Sequence, residues 1–302
     1  MKASPLIDFH THLWWWPDHL TDEFVDEGMA AKRAKMANSP DVFFSTDDRH
    51  GFDATPEMHL RDTAGADISV VLGFSARHLG VVVPNELIAE YVASVPGRFI
   101  GFAGLEPTAP DAVDQLRHAY HELGLRGIKL GPIYQNFDPA DPSLGDFYAE
   151  AEKLDMPILF HQGTTFPRRA PLKWANPILL EDVALAFPKL RIIVAHMGHP
   201  WEAETVVLIR KQPNVWADIS ALHYRPWRYW QALVTAKEYG VLPKLLLASD
   251  YPSATIEQVI EGLRKANDVV AGTSLPRISD DAITAIVESN WRGFLRDGEW
   301  LT

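Results

Sequence analysis

The chain has 302 residues, of which 47% are hydrophobic, so it can bury a sizeable core in one large domain or two ordinary ones. Its formal net charge of −12, with no run rich in Lys and Arg, argues against nucleic acid and against membrane lipid as partners. It contains no cysteine, which excludes disulfides, thiolate nucleophiles and metal sites built on cysteine.

The first predicted strand is LIDFHTH, which ends in His10 and His12. Side chains alternate along a strand, so the two imidazoles lie on the same side of it. With Asp8 just before them, they predict half of a metal site. The segment before this strand is too short and too quickly polar for a signal peptide, and no stretch approaches the roughly 18 apolar residues of a membrane helix. We therefore expect a cytoplasmic protein.

Residues 14–55 interrupt the strand pattern and contain one amphipathic helix, TDEFVDEGMAAKRAKMA. Thr21 is the expected N-cap, and Glu23 and Asp26 lie near the positive end of the helix. We expect an insertion in the first βα loop that lies over the catalytic face, as a lid, a dimer contact or a plain surface excursion. The three tryptophans at its start either line an aromatic substrate pocket or anchor the insertion as a hydrophobic plug.

From residue 68 onward, short apolar strands alternate with helices. The strand candidates are ISVVLGF, RFIGFAGLEP, RGIKLGP, MPILFHQG, RIIVAHMG, VWADIS and KLLLASDYP. Between them lie segments with apolar residues at helical spacing, such as PDAVDQLRHAYHELG and IEQVIEGLRKAN. Eight strands that are apolar on both faces and alternate with helices predict an α/β fold, a (β/α)8 TIM barrel that spans residues 1–302 as one domain. A doubly wound sheet would usually show a Gly-rich turn after its first strand, and HTHLWWW is unlike one.

Residue types that bind or activate metals fall at the carboxyl ends of the predicted strands, where the active sites of barrels form. Besides His10 and His12, His161 ends the fifth strand, His196 the sixth and Asp250 the eighth. Three neutral imidazoles and a carboxylate suit zinc and its first-row neighbours, and they leave a position for a water whose pKa the ion lowers to about 7. Asp250 could then bind the metal and shuttle a proton, and His196 could orient the water or stabilise developing charge.

The motifs DFHTH, FHQG, AHMGHP and ASDYP, in this order and spacing, resemble the amidohydrolase superfamily. More narrowly, they resemble the amidohydrolase-related branch that includes 2-amino-3-carboxymuconate semialdehyde decarboxylase, γ-resorcylate decarboxylase and several lactone hydrolases. The resemblance spans essentially the whole chain, including GIKLGP and ESNWRGFL. It implies one divalent metal ion, which we expect to be zinc, with manganese or another first-row metal as the alternative. It also implies that His196 is the catalytic histidine. The implied metal ligands are His10, His12, His161 and Asp250.

Two departures from the resorcylate-type decarboxylases affect the expected reaction. Those enzymes tend to have glutamate in place of the first histidine and a Gly-Glu pair after the strand-six histidine, whereas this chain has His10 and, after His196, MGHPWE. Because of these departures, we expect a hydrolase of a small organic ester, lactone or amide that uses a metal-activated water. The muconate-semialdehyde enzyme keeps both histidines, so a decarboxylase is not excluded. The alternative is a metal-dependent, non-oxidative decarboxylase of an aromatic or dienoic carboxylic acid.

The two-metal members of the superfamily use a carboxylated lysine on strand four, for which Lys129 is the counterpart. We expect a single ion, because one-metal relatives have this kind of strand as well. A barrel that has lost its activity and serves as a scaffold is a different reading. It is disfavoured because such a loss usually removes a ligand, and here no ligand is missing.

Residues on the loops after the strands are the candidates for substrate contacts. They are Trp14, Lys129, Arg168, His199, His223 and Tyr251. Arg168 could clamp a carboxylate bidentately, and aromatic residues beside such an arginine favour a planar carboxylated compound as the small-molecule substrate. The resemblance also implies a homodimer or higher homo-oligomer, with the insertion helix as one interface.

Overall fold

The computed structural model describes residues 4–38, 48–296 and 299–300, with the side chains of the first helix as far as residue 34. Within this part of the chain, eight parallel strands form one sheet in chain order, and they are numbered β1 to β8 here. They are Ile7–His12, Ile68–Leu72, Phe99–Gly104, Gly127–Leu130, Ile158–Phe160, Ile192–Val194, Val215–Asp218 and Leu245–Leu246. Each strand lies inside a segment that the sequence predicts as a strand.

The sheet closes between β1 and the residues that follow β8. The amide of Phe9 donates to the carbonyl of Leu247 at 3.0 Å, and the amide of Asp250 donates to the carbonyl of His10 at 2.8 Å. The predicted (β/α)8 barrel is therefore confirmed. All strands run in the same direction, so their carboxyl ends meet at one mouth.

Helices α1 to α12, in chain order, surround the described barrel. They are Asp22–Asn38, Pro56–Asp62, Asn85–Ser94, Ala112–His121, Pro132–Gln135, Gly145–Lys153, Leu180–Ala186, Glu202–Lys211, Pro226–Glu238, Ile256–Arg264, Asp280–Glu288 and Trp291–Phe294. A small antiparallel hairpin pairs Ser75–Ala76 with Val81–Val82. No helix among the described residues is both long and apolar enough to cross a membrane.

Two apolar cores lie on the two sides of the barrel wall. The larger one packs the helices against the strands, and the smaller one fills the barrel interior with residues such as Phe9, Phe102, Leu159, Ile193 and Leu246. Trp291 and Phe294 of α12 join the interior core. The carbonyl of Phe294 accepts from the guanidinium of Arg191, just before β6, so α12 covers the amino-terminal end of the barrel. The opposite end is the mouth at which the carboxyl ends of the strands meet.

An irregularity in β1 places its histidines at that open end. The pairing of β1 with β2 shifts register between Asp8 and Thr11, which marks a bulge. An extra residue in a strand re-aims the side chains that follow it. Phe9 packs inside the barrel and His10, the next residue, meets Lys129 across the barrel at 3.1 Å. Strict alternation would have put Phe9 and His10 on opposite faces.

The insertion after β1 covers the mouth of the barrel. Helix α1 begins after Thr21, whose hydroxyl accepts from the amide of Phe24 at 3.5 Å, as the N-cap prediction expects. Glu23 pairs with Arg169, on the loop after β5, at 3.0 Å. Residues 39–47 of the predicted insertion lie outside the described residues.

Candidate metal centre and active-site cavity

Three of the predicted ligands form a triangle at the mouth of the barrel. Nε2 of His10 lies 3.2 Å from Nε2 of His12 and 3.2 Å from Oδ1 of Asp250, and the His12 to Asp250 side measures 3.4 Å. Zinc bonds to nitrogen and oxygen of about 2.0–2.2 Å, in a tetrahedral arrangement, separate the ligand atoms by about 3.3–3.6 Å. The triangle is therefore close to the size that one divalent ion requires.

Burial keeps the histidines of this cluster neutral. It is the main cause that lowers the pKa of His10 and His12 well below the usual value, and the nearby charge of Lys129 adds to the effect. Burial also lowers the pKa of His161 to about 3. The neutral imidazole is the form that binds a metal. Among the described residues, Nε2 of His161 is buried without a hydrogen-bond partner, which fits a nitrogen that is available to an ion.

His196 lies in the same cluster and links His161 to it. Nε2 of His196 is 3.3 Å from Nδ1 of His161, and its ring stacks on that of His10 with centroids 5.1 Å apart. Ligand atoms of His10, His196 and Asp250 lie within 4.8 Å of one another. The structure thus places His196 beside the triangle, and His161 adjoins the triangle through His196.

The backbone at both predicted catalytic residues is unusual. His196 has φ 56° and Asp250 has φ 58°, in the left-handed region that residues other than glycine seldom adopt. Each follows the end of a strand, where a sharp turn directs the side chain back over the barrel. The same conformation occurs elsewhere in the described chain, for example at Asn136 and Asp155, and at His196 and Asp250 it serves to aim the side chains at the cluster.

Asp218, the last residue of β7, is a carboxylate that the sequence analysis did not single out. It is fully buried, and its Oδ2 lies 3.0 Å from Nδ1 of His10. A carboxylate behind a ligating histidine fixes the tautomer and orientation of the ring, and here it leaves Nε2 of His10 for a metal. The signal that could have revealed Asp218 is its position at a strand end in VWADIS.

Asp8 holds the ends of β1 and β8 together, and it contacts the triangle residue His10 through that residue's backbone amide, which donates to Oδ1 of Asp8 at 3.2 Å. Its carboxyl accepts from the amide of Ser249 at 2.9 Å and from the hydroxyl of Ser249 at 2.6 Å. Burial raises the pKa of Asp8 to about 7. The carboxylate that seemed part of the metal half-site in the sequence therefore acts from behind, by fixing the turn that carries Asp250.

The amine of Lys129 points at the triangle from β4. Its Nζ lies 3.1 Å from Nε2 of His10, and only 1% of the residue is exposed. Burial lowers the pKa of Lys129 to about 8. A lysine that is buried and partly deprotonated near neutral pH is chemically available, either to a substrate or to modification.

A cavity of about 350 Å³ lies over the cluster. Its walls are largely aromatic and include Trp14, Phe24, Phe52, Phe74, Tyr134 and Phe166. Besides Lys129, two cationic side chains line it, Lys32 from α1 and Arg225 from the loop after β7. Burial lowers the pKa of Lys32 to about 8, and the guanidinium of Arg225 lies 4.4 Å from the centre of the Tyr224 ring. The cavity thus combines flat apolar walls with positively charged side chains, beside the cluster of candidate metal ligands.

A family model described as amidohydrolase matches residues 7–290, nearly the whole chain. The chain belongs to the amidohydrolase family. The resemblance carried by DFHTH, FHQG, AHMGHP and ASDYP is thereby confirmed.

Curated relatives of this amidohydrolase are decarboxylases. The γ-resorcylate decarboxylase of Rhizobium radiobacter is 31% identical over 140 residues, which cover 38% of this chain and 43% of the relative. The match therefore spans less than half the length of that enzyme. The 2-amino-3-carboxymuconate-6-semialdehyde decarboxylase of Dictyostelium discoideum is 23% identical over 317 aligned positions and covers 87% of both chains.

Solved structures share the barrel at lower identity. A TIM-barrel protein of Bordetella bronchiseptica, described as uncharacterized, has a TM-score of 0.70 at 19% identity and covers 95% of this chain and 96% of its own. A probable 2-pyrone-4,6-dicarboxylic acid hydrolase of Acinetobacter baumannii has a TM-score of 0.64 at 18% identity and covers 94% of this chain and 96% of its own. A dihydroxybenzoic acid decarboxylase of Polaromonas sp. JS666 with bound manganese has a TM-score of 0.59 at 19% identity and covers 97% of each chain. These likenesses support the fold.

Three of the six predicted substrate contacts of this amidohydrolase line the cavity, namely Trp14, Lys129 and His199. Trp14 stacks on the ring of His12 with centroids 4.0 Å apart, and Nδ1 of His199 lies 2.6 Å from the Glu202 carboxylate. The indoles of Trp15 and Trp16 instead donate to Asp18 and Asp22, so these two tryptophans anchor the insertion. The two roles weighed for the tryptophans are thus divided between them.

The other three predicted contacts do not line the cavity. Arg168 is exposed, and its amide donates to Glu27 at 3.1 Å. The hydroxyl of Tyr251 donates to Asp62 at 2.9 Å, and His223 packs against Gly262. Position after a strand end brings a backbone to the mouth, but the local turn decides where the side chain goes. Lys32 and Arg225 provide the cavity cations that the sequence analysis assigned to Arg168.

Proposed function

We propose that this amidohydrolase is a metal-dependent, non-oxidative decarboxylase of an aromatic or dienoic carboxylic acid. The observation that carries the proposal is the metal-type triangle beneath an aromatic cavity, in a chain whose curated relatives named above are decarboxylases. The sequence analysis put hydrolysis first, and these relatives favour its alternative instead.

His10, His12, His161 and Asp250 are the residues we propose as holders of one divalent ion. Zinc suits three imidazoles and one carboxylate, and manganese is the alternative because a structural neighbour is described with it. When bound, such an ion supplies a Lewis acid that polarises the oxygens of the substrate. Asp218 keeps His10 oriented for this task through the 3.0 Å contact behind its ring.

The cavity supplies the substrate's surroundings. Its aromatic walls suit a flat ring or a conjugated chain, and Lys32 and Arg225 are placed to pair with an anionic group. An apolar wall around the departing carboxylate favours its conversion into neutral carbon dioxide, because ionised groups lose hydration there. The insertion helix contributes Phe24 and Lys32 to this enclosure.

The bond between carbon and the carboxylate breaks, and its electron pair stays on the carbon. That carbon takes a proton that Asp250 passes on from solvent, so the net change is the replacement of the carboxylate by hydrogen, with release of carbon dioxide. Asp250 is partly buried and adjoins the two ring nitrogens of the triangle, which puts its carboxyl at the edge of the cavity. Proton transfer by a positioned carboxyl is ordinary acid–base catalysis.

Isotope labelling separates decarboxylation from hydrolysis. Metal-loaded protein is incubated with γ-resorcylate, with 2-amino-3-carboxymuconate semialdehyde and with 2-pyrone-4,6-dicarboxylic acid, in deuterium oxide and in oxygen-18 water. We expect carbon dioxide release and one deuterium on carbon from an acid, without oxygen-18 in the organic product. His10→Ala should abolish turnover, and His118→Ala, an exposed histidine on α4, should not.

Hydrolysis of a lactone is the second candidate. His10 stands where resorcylate-type enzymes tend to have glutamate, and this difference argues against a resorcylate-type reaction in particular. Oxygen-18 in the product of the pyrone, without carbon dioxide release from any acid, would make this the function. A homodimer or larger assembly remains our expectation, and light scattering of the purified protein measures it.

A further inference from the structure

Asp218 and Ser220 connect the back of the metal cluster to His196. Oδ2 of Asp218 faces His10, as described above, and its Oδ1 accepts from the amides of His196 at 2.9 Å and Ser220 at 3.1 Å. The hydroxyl of Ser220 donates to the same Oδ1 at 2.5 Å, and Nδ1 of His196 lies 2.7 Å from that hydroxyl oxygen. All three side chains are at least nine-tenths buried.

The hydrogens in this chain can be assigned by counting donors. Oδ1 of Asp218 already accepts two backbone N–H groups, which hold it as an acceptor. The hydroxyl of Ser220 has a single hydrogen, and it is directed to that oxygen. Towards His196 the hydroxyl can then only accept, so Nδ1 of His196 must be the donor. A neutral imidazole carries one ring hydrogen, which leaves Nε2 of His196 with a free electron pair.

We infer that Ser220 is a positioning residue that holds His196 in the Nδ1–H tautomer. The unprotonated Nε2 then lies 3.3 Å from Nδ1 of His161 and faces the triangle, where it is placed to accept a proton. If Nε2 takes up a proton in the reaction, the hydroxyl of Ser220 and the carboxylate of Asp218 stabilise the resulting imidazolium from behind. The tautomer follows from the hydrogen bonds alone, and only the use made of it rests on the proposed function.

Nitrogen NMR of the histidine rings tests this inference directly. Protein labelled with nitrogen-15 in histidine is loaded with zinc, which is diamagnetic, and long-range proton–nitrogen spectra identify the protonated nitrogen of each ring. His196→Asn serves only to assign the signals. We expect Nδ1 of His196 to carry the hydrogen in the unmodified protein. A hydrogen on Nε2 would overturn the inference, and no variant is needed for that result.

Variants then test the part played by Ser220. Ser220→Ala should lose the pure Nδ1–H pattern of His196, and Ser220→Thr, which keeps the hydroxyl, should restore it. Where turnover is measured, the alanine variant should lose about 10–100-fold in kcat/KM. Ser69→Ala is the matched control, because Ser69 is a buried serine on β2 whose hydroxyl has no partner among the described residues.

Two outcomes for the variants would contradict the assignment. An unchanged Nδ1–H pattern in Ser220→Ala would mean that another contact sets the tautomer. The same change in Ser69→Ala as in Ser220→Ala would mean that the effect is a general loss of packing. Neither spectrum requires a substrate, so the inference can fail while the decarboxylase proposal stands, and it can hold while that proposal fails.

Discussion

Replacing His10 by alanine tests the proposed metal centre directly. His10 makes the two 3.2 Å sides of the triangle, so its loss leaves only the 3.4 Å contact between His12 and Asp250. An ion present at 100 times its dissociation constant stabilises the folded protein by about 2.7 kcal/mol. At roughly 2 °C per kcal/mol for a large domain, the Tm of the unmodified protein should rise by about 5 °C.

The assay compares thermal unfolding of chelator-treated protein with and without added zinc or manganese. His10→Ala should show a metal-dependent rise of less than about 1 °C, because losing one of the four proposed ligands and weakening ion binding by about 100-fold leaves only about 0.4 kcal/mol of stabilisation. His118→Ala removes an exposed histidine and should keep the full rise. Because each protein is compared with itself, any general destabilisation caused by the substitution cancels.

A rise in His10→Ala equal to that of the unmodified protein would refute the triangle as the metal site. No rise and no bound metal in the unmodified protein would refute it as well. Metal content by plasma mass spectrometry should be about one equivalent per chain. Two equivalents would instead indicate that Lys129 is carboxylated and bridges a second ion.

Two further predictions concern charge in and behind the cavity. Lys32→Met should raise the KM for a carboxylated substrate by about 10-fold or more with little change in kcat, since it removes a charged hydrogen-bond donor. Because the pKa of Lys32 is about 8, the KM of the unmodified protein should rise as the pH rises through 8, and it should rise more steeply than the KM of the variant, which keeps Lys129 with a similar pKa. Arg168→Met, at the exposed site, is the control, and an equal effect there would contradict the placement of Lys32. Asp8→Asn concerns stability. The pKa of Asp8 is raised from 3.8 to about 7. Its contribution to the free energy of unfolding is therefore complete below pH 3.8 and is lost as the pH rises through 7. The Tm of the metal-free variant should therefore fall less than that of the unmodified protein across this range, and parallel Tm curves would contradict the assignment.

The strands and the ligand set could be predicted because their signals are local. Apolar runs bounded by turns locate each strand to within a few residues, and strand order follows from the chain once the barrel is assumed. Residues at the ends of parallel strands meet without further information, which is why His10, His161 and Asp250 converge as expected. The cytoplasmic location and the oligomeric state stay predictions.

The direction of a side chain on a loop could not be predicted in the same way. Arg168 and Lys32 look alike in the sequence as cations near the catalytic face, yet only Lys32 reaches the cavity. Helix α1 presents Lys32 inward together with Phe24 and Gly28, whereas Arg168 lies on a loop that turns outward and pairs its backbone with Glu27. The difference depends on how the insertion packs on the loop after β5.

The sequence by itself determined the barrel, the family motifs and the residue types at the metal cluster. The spacing of apolar residues and the order of the motifs along the chain carry that information. Only the tertiary structure decided the triangle's dimensions, the bulge that turns His10 inward, and the part played by Asp218 and Ser220. These depend on contacts between residues that lie far apart in the chain, such as the 208 positions that separate His10 from Asp218. Burial then sets their chemistry, because a histidine or lysine loses its charge only when the fold removes water from it.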